Sequence, residues 1–566
     1  MRGTGQQHLS GSTIAGHQND SYMEEKDLWY KRAVVYALDV ETFQDSDNDG
    51  IGDFQGLISR LDYIATLGIT CIWLLPFYPT PNRDNGYDVM DYYNVDKRLG
   101  DLGDFAIFIK EANERGMKVI VDLVINHTSD QHPWFQEARR NPNSKYRNYY
   151  TWVKEEPEED IGKPAFADKQ DGIWNWDEEA QMFYLHRFYE HQPDLNIANP
   201  DVREEIHRIM RFWLMLGVAG FRVDAAHILI QSDTEKDKLE FYDLIEDMRE
   251  FINTHSQDAV LLAEASGPPH VVGSFFKGKQ RMHMMFNFLL NQHVFLALAR
   301  KEGSPIAKGM RMLPDKDYTS QWLNFLRHHD ELNIEDLEKS EQDDIFKVFA
   351  PDEDMKIFGR GIRRRLPPIL SDNRARMELA YSLLFTLPGT PMIQYGAEIG
   401  MGDDLTQPER NSVRTPMQWA NALNGGFSDY EGDLIRPIIS SGKYSYKKVN
   451  VTDQLCDPDS FLNWMERIIR MRRQFPELGS GDFSIIETDN RKVFAHSCSQ
   501  KFTLYVVHNL SSQPQKVLIP ELQAAEPNLI EVTSNQTYKA PKNGEVALSA
   551  YGYRWFRVRK SLAKTT

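Results

Sequence analysis

From Trp29 onward, short β-branched or apolar runs alternate with longer stretches whose apolar residues recur at helical spacing. An unbroken apolar run suits a strand buried on both faces, and its alternation with helices is the sequence form of a parallel sheet wrapped by helices. Strands are predicted at Val34 to Val40, Cys71 to Pro76, Lys118 to Ile125, Gly220 to Ala226 and Val260 to Ala265, then at Met284 to Leu290, Trp322 to Asp330 and Thr390 to Glu398. Eight runs in this order fit an α/β chain folded as a (β/α)8 TIM barrel.

Two departures from the rhythm mark further structure. Between the third and fourth runs lies a polar, aromatic-rich segment far longer than an ordinary βα loop, which reads as an inserted subdomain. After the helical pattern Leu462 to Phe475 the chain changes to short alternating runs bounded by Gly, Asn, Pro and Ser, as an antiparallel β domain requires. The expected organisation is a flexible leader over 1–26 and barrel over 27–127. The inserted subdomain then spans 128–200, the rest of the barrel 201–477, and a C-terminal β-sandwich 478–566.

A chain of 566 residues is too long for one core, in keeping with that division. The net charge of −18 argues against nucleic-acid or anionic-membrane partners, which draw on clustered Lys and Arg. Cys71, Cys456 and Cys498 are odd in number and lack metal-ligand spacing, as expected of reduced thiols, with Cys71 packed in the core. The leader has no apolar signal region and no stretch reaches membrane-spanning length, so the expected compartment is the cytoplasm. A homo-oligomer stays open.

In such a barrel, chemistry sits where the strands end. The fourth run ends in Arg222 and Asp224, the fifth in Glu264, the seventh in His329 and Asp330, and the third in Asp122, Asn126 and His127. Cleaving a glycosidic bond with retention needs one carboxylate to attack the anomeric carbon and one carboxylic acid to protonate the departing oxygen. Asp224, two residues from Arg222 on one strand face, is expected to be kept ionised as nucleophile, and Glu264, among apolar neighbours, to be kept protonated as general acid/base. Taken singly, each of these is more often a cap or an ion pair; the set carries the reading.

The run DSDNDGIGD, Asp45 to Asp53, alternates acidic oxygens with glycines and suits a structural Ca²⁺ held by Asp45, Asp47, Asp49, the Ile51 carbonyl and Asp53. It is not a complete EF-hand, because Gly56 stands where that motif needs a bidentate Glu.

The blocks DLVINHTSD, GFRVDAA, LLAEA and RHHDEL, in this order, resemble the α-amylase superfamily, glycoside hydrolase family thirteen. The resemblance implies Asp224 as nucleophile, Glu264 as acid/base and Asp330 as the third carboxylate, with His127, Arg222 and His329 on the glucosyl unit. The segment PNRDNGYDVMDY resembles the branch acting on short α-glucosides, which implies Asp84 and Tyr87 as the floor of a closed pocket and Arg414 as the partner of Asp84. A closer resemblance, from Trp29 to about Leu478, is to the glucosyltransferase branch that interconverts maltose and trehalose through a covalent intermediate; hydrolysis of short α-glucosides or transfer to another acceptor is the alternative, and a non-catalytic carbohydrate-binding or scaffold relative is the alternative of another class. Its arginine-rich GIRRRL segment, taken by itself, reads as a basic surface helix. The chain departs from the pattern at His328, where Asn usually stands, at SGPP after Ala265 and at PERNSV. Relatives hold a second calcium at the places of Asn126 and Asp194 and of residues after the nucleophile; here that stretch reads HILIQ, with Gln231 for Glu, which leaves the second site open.

Overall fold

The computed structural model describes residues 28–157, 164–166, 170, 172–226, 228, 235–276 and 280–559. The leader expected over 1–26 and Gln231 lie outside them. Eight strands close a barrel: β1 Val35–Leu38, β2 Cys71–Leu74, β3 Lys118–Leu123, β4 Gly220–Val223, β5 Val260–Ala263, β6 Met284–Phe286, β7 Gln321–Phe325 and β8 Thr390–Gln394. Each pairs in parallel with its neighbour in sequence, and β8 closes on β1. Every strand overlaps a predicted run and stops before the run does; most runs continue into the rim, whereas that of Met284 to Leu290 continues into the helix Phe288–Arg300.

Alternation of side chains sorts the apolar residues into two cores. Val35, Ala37, Cys71, Trp73, Ile120, Val260, Leu262, Met284, Phe286, Leu323, Phe325 and Met392 fill the barrel interior. The intervening residues, such as Tyr36, Ile72, Val119 and Val121, face the surrounding helices. The helix Leu102–Glu114 shows how those helices are specified: Asp101 caps it in a reciprocal box with Asp104, and Phe105, Phe108, Ile109 and Ala112 form its buried stripe. A cap of this kind contributes about 1 kcal/mol.

Between β3 and the helix Pro200–Met215, the strands Trp152–Val153, Trp174–Asp177 and Met182–Leu185 form a small antiparallel sheet. Beyond the helix Phe461–Arg473, a five-stranded antiparallel sheet runs from Asp482–Ile486 to Tyr553–Arg559. One face meets the two-stranded sheet of Gln515–Leu518 and Glu545–Leu548 through Val507, Val517, Val546 and Phe556. The other packs Leu504, Val506 and Trp555 into the same core as the barrel helices. Ser382, on the helix Arg374–Thr386, shares its hydroxyl with Trp555 Nε1 and His508 Nε2, both at 2.9 Å. Among the described residues, no helix is long and apolar enough to cross a membrane.

Candidate active site

The ends of β3, β4, β5 and β7 converge on one cavity of about 580 Å³ at the C-terminal face of the barrel, lined by Asp84, Tyr87, His127, Asp224, Glu264 and Asp330. Register accounts for the meeting. Asp122 pairs with Arg222 across β3 and β4, and Val223 with Ala263 across β4 and β5, so Asp224 and Glu264 emerge one residue later on adjacent strands. Ala225 then turns into the left-handed region at φ 46° and its N–H donates to Glu264 Oε2 at 3.0 Å. Such a conformation is costly for a residue with a Cβ and marks a position held by its surroundings.

Arg222, 1% exposed, is the hub. Its guanidinium meets Asp122 and Asp224 at 2.5 Å each and Glu264 at 2.7 Å, and lies 5.2 Å from the ring of Trp73. One cation is thus shared among three carboxylates. Burial pushes Asp224 well above the usual carboxylate range, against the pull of Arg222 and with the neighbouring Glu264, Asp122 and Asp330 adding to the rise. Burial likewise lifts Asp122 to about 6. The expectation of an Asp224 kept ionised by its own arginine and a Glu264 among apolar groups is therefore corrected: the arginine is shared, and Glu264 is one of its partners.

Asp330 is the opposite case. Burial favours its neutral form, but His329 at 3.0 Å, Arg410 at 2.8 Å and Arg414 at 2.7 Å hold it well below the usual range, as an anion. Tyr87 lies parallel to His329, with its hydroxyl 2.8 Å from His329 Nε2 and 3.3 Å from Arg222 Nη1. His127 Nε2 is 3.2 Å from the Tyr87 carbonyl, and burial lowers the ring's pKa to about 4, so it is neutral. All nine residues expected to act on substrate thus stand in one neighbourhood.

One pairing is corrected. Asp84 pairs with Arg410 at 2.9 Å, whereas Arg414 pairs with Asp330 and donates to the His329 carbonyl. Arg410, on the segment Glu409–Val413, bridges Asp84 and Asp330 and had no place in the sequence reading. The GIRRRL arginines are not a surface helix. Arg363 donates to the carbonyls of Leu405, Gln407 and Glu409, Arg364 pairs with Asp403 at 3.4 Å, and Arg365 donates to those of Tyr395 and Val413. They hold the loop that carries Arg410.

Over the mouth, Phe166 of the inserted segment meets Phe358 of the hairpin Lys356–Ile357 and Gly361–Ile362 at 4.6 Å between ring centres. Arg410 lies 5.1 and 5.9 Å from these two rings. The aromatic cover and the ionic floor therefore share one side chain.

In the acidic loop, the carboxylates of Asp45, Asp47 and Asp49 converge within 4.8 Å, a donor set of hard oxygens that suits Ca²⁺. Asp53 is turned partly to other work, accepting from Ser46 and from the Gly56 N–H as cap of the helix Phe54–Ser59. Asn126 and Asp194 do meet, at 3.2 Å, but Arg187 pairs with Asp194 at 3.2 Å and supplies positive charge there itself.

A closed parallel barrel whose strand ends gather carboxylates around buried arginines defines an enzyme of the (β/α)8 class with its chemistry at the C-terminal rim. The chain belongs to the α-amylase catalytic-domain family, which matches residues 38–481; a sucrose hydrolase-like C-terminal domain matches residues 503–557. It is 38% identical to the trehalose synthase/amylase of Mycolicibacterium smegmatis over 94% of this chain and 93% of that one. Among solved structures it is similar to the α-amylase from H. orenii, at 30% identity and TM-score 0.76, covering 94% of this chain and all of that one. It is also similar to the trehalulose synthase from Pseudomonas mesoacidophila, at 26% identity and TM-score 0.75, covering 94% and 99%.

Proposed function

We propose that this chain is a retaining glucosyl-transferring enzyme that interconverts maltose and trehalose. The observation that carries the reading is the placement of Asp224 and Glu264 side by side on Arg222, with Asp84, Arg410 and Asp330 closing the cavity beneath a lid of Phe166 and Phe358. The relative named trehalose synthase/amylase supports the choice of disaccharide.

Asp224 attacks the anomeric carbon of the terminal glucosyl unit while Glu264 gives its proton to the departing oxygen, leaving a glucosyl ester on Asp224. Asp330, fixed as an anion by two arginines, and His329 grip the sugar hydroxyls as positive charge develops on the ring. In the second step the released glucose, retained under the aromatic cover, turns and attacks through its anomeric hydroxyl, with Glu264 taking the proton. If water attacks instead, the same site is an α-glucosidase.

Proton NMR of the purified protein with maltose, and separately with trehalose, tests this. Each sugar is expected to give the other with little free glucose. Steady glucose release without the second disaccharide would establish the hydrolase, and inertness toward both would reject the reading.

We also propose a structural Ca²⁺ on Asp45, Asp47 and Asp49, with the Ile51 carbonyl and Asp53 completing the shell. No Lys or Arg among the described residues pairs with the first three, and burial and mutual repulsion push Asp47 up. An ion at a hundredfold excess over its Kd stabilises by about 3 kcal/mol. Chelation should therefore lower the Tm by several degrees, and calcium but not magnesium should restore it. An unchanged Tm would reject the site. Unpaired thiols, with Cys71 and Cys498 buried, support a reducing compartment such as the cytoplasm.

A further inference from the structure

His328 is 3% exposed and lines the cavity together with Glu264, Phe288 and Asn333. The Asp330 backbone N–H donates to its Nδ1 at 3.2 Å. An amide can only donate, so Nδ1 accepts and the proton of the neutral ring sits on Nε2. Burial, which pushes the pKa of His328 well below its ordinary value, keeps the ring neutral. Nε2 has no hydrogen-bond partner among the described residues. Around the ring stand Phe286, Phe288 and Phe325, at 6.3, 6.0 and 5.0 Å, and the Asp330 carboxylate lies 3.9 Å from Nδ1 without reaching a bond to Nε2. A buried N–H left without an acceptor costs about 1–3 kcal/mol. A group retained at that cost beside a ligand cavity points to an acceptor that arrives with the ligand.

The place of His328 says which part of the ligand. It stands beyond β7, against residues at the end of β6, and β6 adjoins β5, which presents Glu264. In the mechanism proposed above, the bond is protonated by Glu264 from this side, where the departing group leaves. We propose that His328 is a specificity-determining residue that donates its Nε2–H to a hydroxyl of the sugar beyond the cleaved bond, the unit that leaves and returns as acceptor. The proposal rests on the function proposed above.

The test compares maltose with p-nitrophenyl α-glucoside, whose departing group has no sugar hydroxyl. His328→Phe keeps the ring and removes the donor. It is expected to lower kcat/KM for maltose roughly ten- to a hundredfold more than for the aryl glucoside, with His328→Asn recovering most of the difference. If His328→Phe does not fold, His328→Leu makes the same comparison. Equal losses on both substrates, or none, would overturn the proposal, since a ring that only packs, or an N–H satisfied by the faces of the phenylalanines, treats the two alike. A wild-type protein inert toward both would overturn the proposed function and this inference with it. A wild-type protein active on both, with equal losses in the variants, overturns this inference alone.

Discussion

Asp224→Asn is expected to lower turnover of α-glucosides by about 10⁴-fold or more while leaving the protein as stable as before or more so. The amide cannot form the glucosyl ester, so the first step is lost. Stability moves the other way because Asp122, Asp224 and Glu264 compete for Arg222, and removing the charge of Asp224 relieves both its burial cost and the repulsion its neighbours exert on it. Active sites commonly store such strain at a cost in stability. Steady-state kinetics and a thermal melt on the same preparation check both halves. Turnover within tenfold of wild type would remove Asp224 from the nucleophile's role, and a large fall in Tm would show that its charge holds the barrel rim together.

Arg410→Met is expected to cost roughly a hundredfold or more in kcat/KM, from the 2–5 kcal/mol typical of cutting one partner from a buried charge pair. It is also expected to shift the products toward free glucose. The guanidinium uses separate nitrogens for Asp84 and Asp330, so Arg410→Lys cannot reproduce the fork and should recover only part of the loss. The same group packs beneath Phe166 and Phe358, so its removal loosens the cover as well as the floor. Arg414→Met provides the contrast, because it leaves Asp84 paired and the cover in place. If the two variants lose activity equally with the same product ratio, Arg410 has no part in excluding water.

The barrel was legible because its strands are buried on both faces and read as continuous apolar runs, and the carboxylates were legible because they close those runs. What the runs could not convey was register. The spacing of Arg222 and Asp224 revealed their contact, but the claims of Asp122 and Glu264 on the same cation depend on how β3, β4 and β5 align. Arg410 lay out of reach for a related reason. Its segment has no periodicity, its partner Asp84 is 326 residues away, and Arg414 offered an equally good charge four residues on. Arg363 and Arg365 of GIRRRL look like surface charge because their acceptors are backbone carbonyls of distant segments, which leave no mark in the sequence.

The shared hydroxyl of Ser382 bears on how this protein could be rebuilt. The helix that carries it leads directly into β8, so the stave that closes the barrel is braced from behind by Trp555 and His508. A chimaera that exchanged the C-terminal sheet for that of a relative would have to carry the facing surface of this helix with it. Grafted alone, a foreign sheet would leave the buried Ser382 hydroxyl without its mates and disturb the ring of strands that aims Asp330. For recombination between relatives, the natural crossover points lie in the loops over the mouth rather than at the seam between barrel and sheet.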